Sequence, residues 1–71
     1  MEEKFYFVLF MGSSVANTYI GSRSNAKAYF KRWVRKNVPY YQEYDFVVYR
    51  FVFLSEMLSH ENPVGSYHLV L

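Results

Sequence analysis

Phe5-Tyr6-Phe7-Val8-Leu9-Phe10-Met11 is the stretch on which the fold turns. Side chains alternate between the two faces of a strand, and here both alternating sets are apolar: Phe5, Phe7, Leu9 and Met11 on one, Tyr6, Val8 and Phe10 on the other. Such a strand has no face to give to water, so it belongs in the middle of a sheet that is covered on both sides. The run is far short of the roughly 20 apolar residues that span a bilayer. The chain opens on Glu2 and Glu3 rather than on a basic leader, so the expectation is a soluble, cytoplasmic protein without membrane contact.

On the C-terminal side, Gly12, Ser13 and Ser14 are turn formers, and residues 15–20 read as a second short strand that makes a hairpin with the first and stops at Gly21. Ser24 or Asn25 is the expected N-cap of a helix in which Ala26, Tyr29, Phe30, Trp33 and Val34 recur at i, i+3, i+4, i+7 and i+8. Those residues form its inner stripe. Lys27, Lys31 and Arg35, flanked by Arg32 and Lys36, occupy the opposite face, and Pro39 ends the helix near Asn37 or Val38.

Tyr40 to Glu43 connect to a long strand over residues 44–54, with Phe46, Val48, Val52 and Leu54 on one side and Val47, Tyr49, Phe51 and Phe53 on the other. Arg50 interrupts that pattern. Ser55 starts a short helical turn that runs to His60, Asn62, Pro63 and Gly65 punctuate, and residues 67–71 are a candidate last strand. The predicted architecture is therefore one α+β domain over residues 1–71, a small antiparallel sheet of order ββαβ with a possible further β, packed by one amphipathic helix.

A chain of 71 residues buries only about 60% of its unfolded surface on folding and has little stability to spare. It contains no cysteine, which removes disulfides and thiolate sites, and His60 and His68 have no nearby ligand pair, so neither a metal nor a cofactor is expected. Oligomerisation is the remaining common support, and a homodimer is expected. Aromatic residues make up 23% of the chain, a high share that implies a packed fold. A helix of about 13 residues is roughly 20 Å long and 10 Å wide. Three or four strands present roughly 300 to 400 Å² per face, so one helix leaves aromatic sheet surface open. Contiguous apolar surface of that scale marks an interface. Tyr6, Val8 and Phe10 on the sheet, with Tyr40, Tyr41 and Tyr44 in the connection, are the expected partner-binding residues.

The charge distribution offers a second use. Arg23, Lys27, Lys31, Arg32, Arg35 and Lys36 are six of the eight basic residues and no acid interrupts them, so Lys27, Lys31, Arg32, Arg35 and Lys36 form a candidate nucleic-acid-binding face, with tyrosines available to stack on bases.

Thr18-Tyr19-Ile20-Gly21-Ser22, preceded by Phe5-Tyr6 and followed by Lys31-Arg32-Trp33 in a helix, resembles the core of the GIY-YIG nucleases, which also start ββα. The resemblance implies metal-dependent DNA cleavage, with Tyr6, Tyr19, Gly21, Arg32 and Glu61 at the matching positions. The first motif here lacks its glycine and isoleucine, and Tyr29 stands where the family's helical arginine falls without a gap. In element order, though in no shared motif, the chain is also similar to the small dimeric phage inhibitors of uracil-DNA glycosylase. No phosphate loop, nucleophile elbow or spaced carboxylate pair is present. The reading that follows favours binding over catalysis: a regulator or inhibitor of another protein, a nucleic-acid-processing protein among the candidates, in the manner of a phage-encoded inhibitor of a host enzyme, acting through exposed aromatic sheet residues.

Overall fold

A computed structural model describes residues 4–71. Glu2 and Glu3, read above as an acidic start, lie outside the described residues. The elements are β1 (Phe5–Met11), β2 (Ser14–Gly21), α1 (Arg23–Asn37), a single 3-10 turn (Tyr41–Glu43), β3 (Phe46–Phe51), α2 (Leu54–Ser59) and β4 (Gly65–His68). The strands form one antiparallel sheet in the order β2-β1-β3-β4. The fold is α+β, and the doubly apolar β1 occupies an interior position.

Gly12 makes the β1–β2 turn at φ 62°, a left-handed conformation that costs glycine nothing, and its N–H donates to the Asp45 carbonyl at 3.1 Å. The pairing register shifts between Leu9 and Phe10, where Asn17 and Val15 are the partners and Ala16 is left over as a bulge. A bulge of this kind bends the strand and raises its twist. At the other end, a Cβ on Gly21 would sit 2.8 Å from the Tyr19 ring, so only a bare backbone fits there and the chain turns at once into α1. Ser22 is the N-cap: its Oγ accepts the Asn25 N–H at 3.3 Å and its carbonyl accepts the Ala26 N–H at 2.9 Å. The helix thus starts earlier than Ser24 or Asn25. It ends as expected, at Val38, held extended by the following Pro39.

The expected strand over residues 44–54 is shorter. Phe51 pairs with Tyr6, the second residue of the antiparallel β1, and beyond it the chain bends at Val52 and Phe53 into α2, whose first turn closes with the Glu56 and Met57 N–H groups donating to the Phe53 carbonyl at 3.1 and 3.2 Å. β4 is likewise earlier than residues 67–71, because Gly65 already pairs with Arg50, although the Leu69 N–H still donates to the Phe46 carbonyl at 2.9 Å.

The alternation of β1 divides the interior in two. Phe7 and Leu9 join Phe30, Val34, Phe46 and Val48 beneath α1. Val8 meets Phe51 and Met57 beneath α2, with Tyr6, Phe10 and Tyr49 packed around them. The sheet is packed by the amphipathic α1 on one face, as expected, and the short helical turn expected after Ser55 lies against the other. Val8, expected on an open face, is only 1% exposed, because Met57 of α2 reaches down onto it.

Candidate binding surfaces

The α2 face is built from a very short helix. With only Leu54–Ser59 to offer, α2 buries one residue fully, Met57. Leu54 and Leu58 sit four apart and so share a side of the helix. They are 45% and 71% exposed, and Phe53 just before them is 63% exposed. Val52 and Val64 on the flanking segments are exposed as well. The Ser59 hydroxyl donates to the Ser55 carbonyl at 3.0 Å, and the helix closes at His60 in a left-handed conformation, φ 58°. Asn62, at φ 56°, is a second left-handed residue in this loop, so the connection to β4 stores strain that a glycine would avoid.

That loop walls a cavity of about 400 Å³. Phe10, Tyr49 and Phe51 on the sheet and His60 and Pro63 on the loop line it. Tyr49 and His60 both meet Phe10 edge-on, each with ring centroids 5.3 Å apart. The cavity has aromatic walls, and its size suits one large apolar side chain or a small ring.

The α1 face has a different finish. Lys27, Arg32, Arg35 and Lys36 are exposed and Lys31 is half-buried, and Lys31, Arg32, Arg35 and Lys36 edge a shallow surface depression with Ala28. Trp33 and Tyr29 lie half-buried at the margin of the core while Phe30 is fully enclosed. Nearer the start of α1, a second cavity of about 660 Å³ opens between Ser22, Arg23, Ser24 and Lys27 on one side and Phe5 and Tyr67 on the other. Burial raises the pKa of the Tyr67 phenol, and the nearby Arg23 charge opposes that rise.

The expected partner-binding residues divide among these surfaces. Tyr6 and Phe10 are half-buried on the α2 face. Tyr40 and Tyr44 are exposed in the α1–β3 connection, but Tyr41 between them packs into the α1-side core. Val8 is enclosed. The residues expected from sequence do not form one surface, and Phe53, Leu54 and Leu58, exposed apolar side chains at α2, are not among them. The spacing of Leu54, Met57 and Leu58, i, i+3, i+4, was the available signal.

The positions matching the nuclease motif are also dispersed. Tyr6 pairs with Ile20 and Phe7 with Tyr19, so Tyr6 and Tyr19 point to opposite faces of the sheet. Arg32 is exposed on α1 at one face, whereas Glu61 follows α2 at the other. Tyr29, at the arginine position, instead stacks on Tyr19 with centroids 4.8 Å apart and accepts a hydrogen bond from Asn17 Nδ2 at 3.2 Å. Among the described residues no group of three or more His, Cys, Asp or Glu side chains gathers into a metal site, and no helix is long and apolar enough to cross a membrane. Comparison with known protein families, with curated proteins and with solved structures returned no match.

Proposed function

We propose that this chain is a non-enzymatic binding protein that contacts another protein through its α2 face and acts as a regulator or inhibitor by occupying that partner's surface. The observation that carries the reading is the exposure of Phe53, Leu54 and Leu58 around a helix that buries only Met57. Leaving two leucines and a phenylalanine in water on one short element gains the fold nothing. The same residues become favourable when a partner covers them. The aromatic-walled cavity between the same face of the sheet and the loop after α2 offers the proposed partner a pocket for one anchoring side chain. Half-buried Tyr6 and Phe10 lie on this face and belong to the proposed contact.

Affinity capture with tagged protein at about 0.3 M salt tests the proposal, with Leu54→Ser/Leu58→Ser as the paired bait. Proteins retained by the wild type and lost by the double variant support it. An identical set on both baits, or loss instead with Lys31→Gln/Arg35→Gln, overturns it. A second copy of the chain is one partner such a surface accepts. Sedimentation equilibrium of the wild type against the leucine variant decides whether a homodimer forms here.

The cations of α1, exposed except for the half-buried Lys31, favour a second reading, nucleic-acid binding through Lys27, Lys31, Arg32, Arg35 and Lys36. Binding of that kind weakens steeply with salt, with a slope of roughly one unit per neutralised phosphate contact, whereas the apolar α2 contact does not.

A further inference from the structure

The α2 face of the sheet is only half covered. α2 packs on β1 and β3. The residues of β2 that share this face by register are Val15 opposite Phe10, Thr18 opposite Val8 and Ile20 opposite Tyr6, and all three are exposed. Val15 is 46% and Ile20 48% open to solvent, while Tyr6 and Phe10, one strand further in, are half-buried. The bare strip over β2 and the outer side of β1 is about 10 Å wide, two strand spacings. That is the width of one helix.

α2 turns its apolar flank toward this strip. It starts just past Phe51, which lies opposite Tyr6, and ends at His60, whose ring meets Phe10, so it runs in the same direction as β1. The Phe46 and Arg50 carbonyls accept from Leu69 and Val64 on the β4 side, which fixes the hand of the sheet. With about 3.6 residues per right-handed turn and Met57 resting on the sheet, Leu54 and Leu58 fall on the β2 side of the helix and Glu56 on the β4 side. Leu54 and Leu58 are 45% and 71% exposed. Ser55 and Ser59 form the outer surface of α2, and the Ser59 hydroxyl already donates to the Ser55 carbonyl at 3.0 Å, so this surface meets apolar atoms without leaving that donor unpaired.

Building on the proposed role of the α2 face, on which this depends, we infer that the strip receives α2 of a second copy of the chain. The two copies pack face to face about a twofold axis. Each α2 fills the bare strip of the other, and Leu54 and Leu58 meet their counterparts between the two sheets. A twofold contact requires one surface to carry both complementary parts, and this face carries the helix and a gap of matching width. The charge pattern selects the same arrangement. Facing α2 surfaces turn Lys27, Arg32, Arg35 and Lys36 of both copies to opposite outer sides, whereas joining the β2 edges would set side by side two cationic α1 helices, which pack over β2. The β2 edge is also closed to a partner strand: Asn17 Oδ1 accepts the Thr18 N–H at 2.8 Å, and the bulge at Ala16 interrupts the register. The strip and the outer side of α2 measure on the order of 300 Å² in plan. Specific interfaces of that small extent are weak and transient, so the dimer dissociates with a constant on the order of 10 to 100 μM.

Sedimentation equilibrium of the full chain from about 5 to 500 μM, a range that brackets the expected constant, is the test. The wild type should show a monomer–dimer equilibrium that survives about 0.5 M salt, since apolar contact is not screened. Ile20→Glu and Leu58→Glu, both at exposed positions and checked for folding by circular dichroism, should each weaken association about tenfold or more, because each buries an unpaired charge. Lys31→Gln/Arg35→Gln should leave it unchanged. The chain has no cysteine, so Leu58→Cys supplies an independent readout: mild oxidation should link two copies through a disulfide, and Lys36→Cys, on the outward face, should not. Loss of the dimer with Leu58→Glu but not with Ile20→Glu would overturn the seating of α2 on the strip. So would a dimer indifferent to both, or equal cross-linking through the two cysteines. A wild type that stays monomeric while Leu54→Ser/Leu58→Ser still abolishes capture of other proteins would overturn the dimer and leave the α2 contact standing. A monomer whose captured proteins ignore the leucines would remove both.

Discussion

α1 and α2 cover opposite faces of one sheet, but they finish the task differently. α1 is 15 residues long, encloses Ala26, Phe30 and Val34, and turns a row of lysines and arginines to solvent. α2 is six residues long, encloses Met57, and turns Leu54 and Leu58 to solvent. Burial needs explain the first arrangement completely: apolar residues inward, charge outward. They explain only Met57 of the second. Leu58, 71% exposed, and Phe53, 63% exposed, leave apolar surface around α2 that packing within this chain does not account for, and the proposed contact rests on that surplus.

The contrast makes the two helices unequal in stability. Phe30→Ala removes a fully buried ring from the larger core and should cost about 3 to 5 kcal/mol, enough to unfold most of the population of so small a domain. Urea denaturation followed by far-ultraviolet circular dichroism measures it. Met57→Ala should cost about 2 kcal/mol, the low end for such a truncation, because α2 is short and its flanks are free to settle. Hydrogen exchange should then quicken in α2 and leave α1 protected. Equal losses at the two sites would erase the distinction drawn between the faces.

Tyr67→Phe should go the other way and stabilise the protein by about 1 kcal/mol, since it removes a buried hydroxyl without a partner. It also carries a pH signature. Burial raises the phenol's pKa above 10.0, so as pH climbs the unfolded chain loses this proton first, and stability that is level below pH 10 falls above it. The phenylalanine variant should lack that part of the alkaline fall. The smallest effect belongs to Leu54→Ser/Leu58→Ser, expected to stay within about 0.5 kcal/mol per site in dilute protein. A loss as large as that of Met57→Ala would mean that the leucines are already buried in an assembly, which the same samples would reveal in sedimentation equilibrium.

The parts of this fold that could be read from sequence are those with a long enough period. Seven consecutive residues with both strand faces apolar, Phe5–Met11, placed β1 inside the sheet, and the recurrence of Ala26, Phe30 and Val34 identified the buried stripe of α1. The helical turn after Ser55 was legible too. Its landing place was not, because six residues carry too little pattern to name a face, and the bend at Val52 and Phe53 that steers α2 across the sheet sits inside what reads as a continuing strand. For that reason the sequence pattern leaves Val8 open. The corner holding Arg23, Arg50 and Tyr67 was illegible for another: its members come from α1, β3 and β4, and only the pairing of Arg50 with Gly65, which has no side chain to crowd the guanidinium, brings them together.

Site-specific photo-cross-linking puts the claim about α2 most directly to the test. A photoreactive amino acid at Leu58, in cells where the protein functions, should yield a discrete adduct that unlabelled wild-type protein competes away and Leu54→Ser/Leu58→Ser does not. The same group at Lys31 should yield none. Adducts at Lys31 with none at Leu58, or an adduct at Leu58 that both competitors remove equally, would contradict the account.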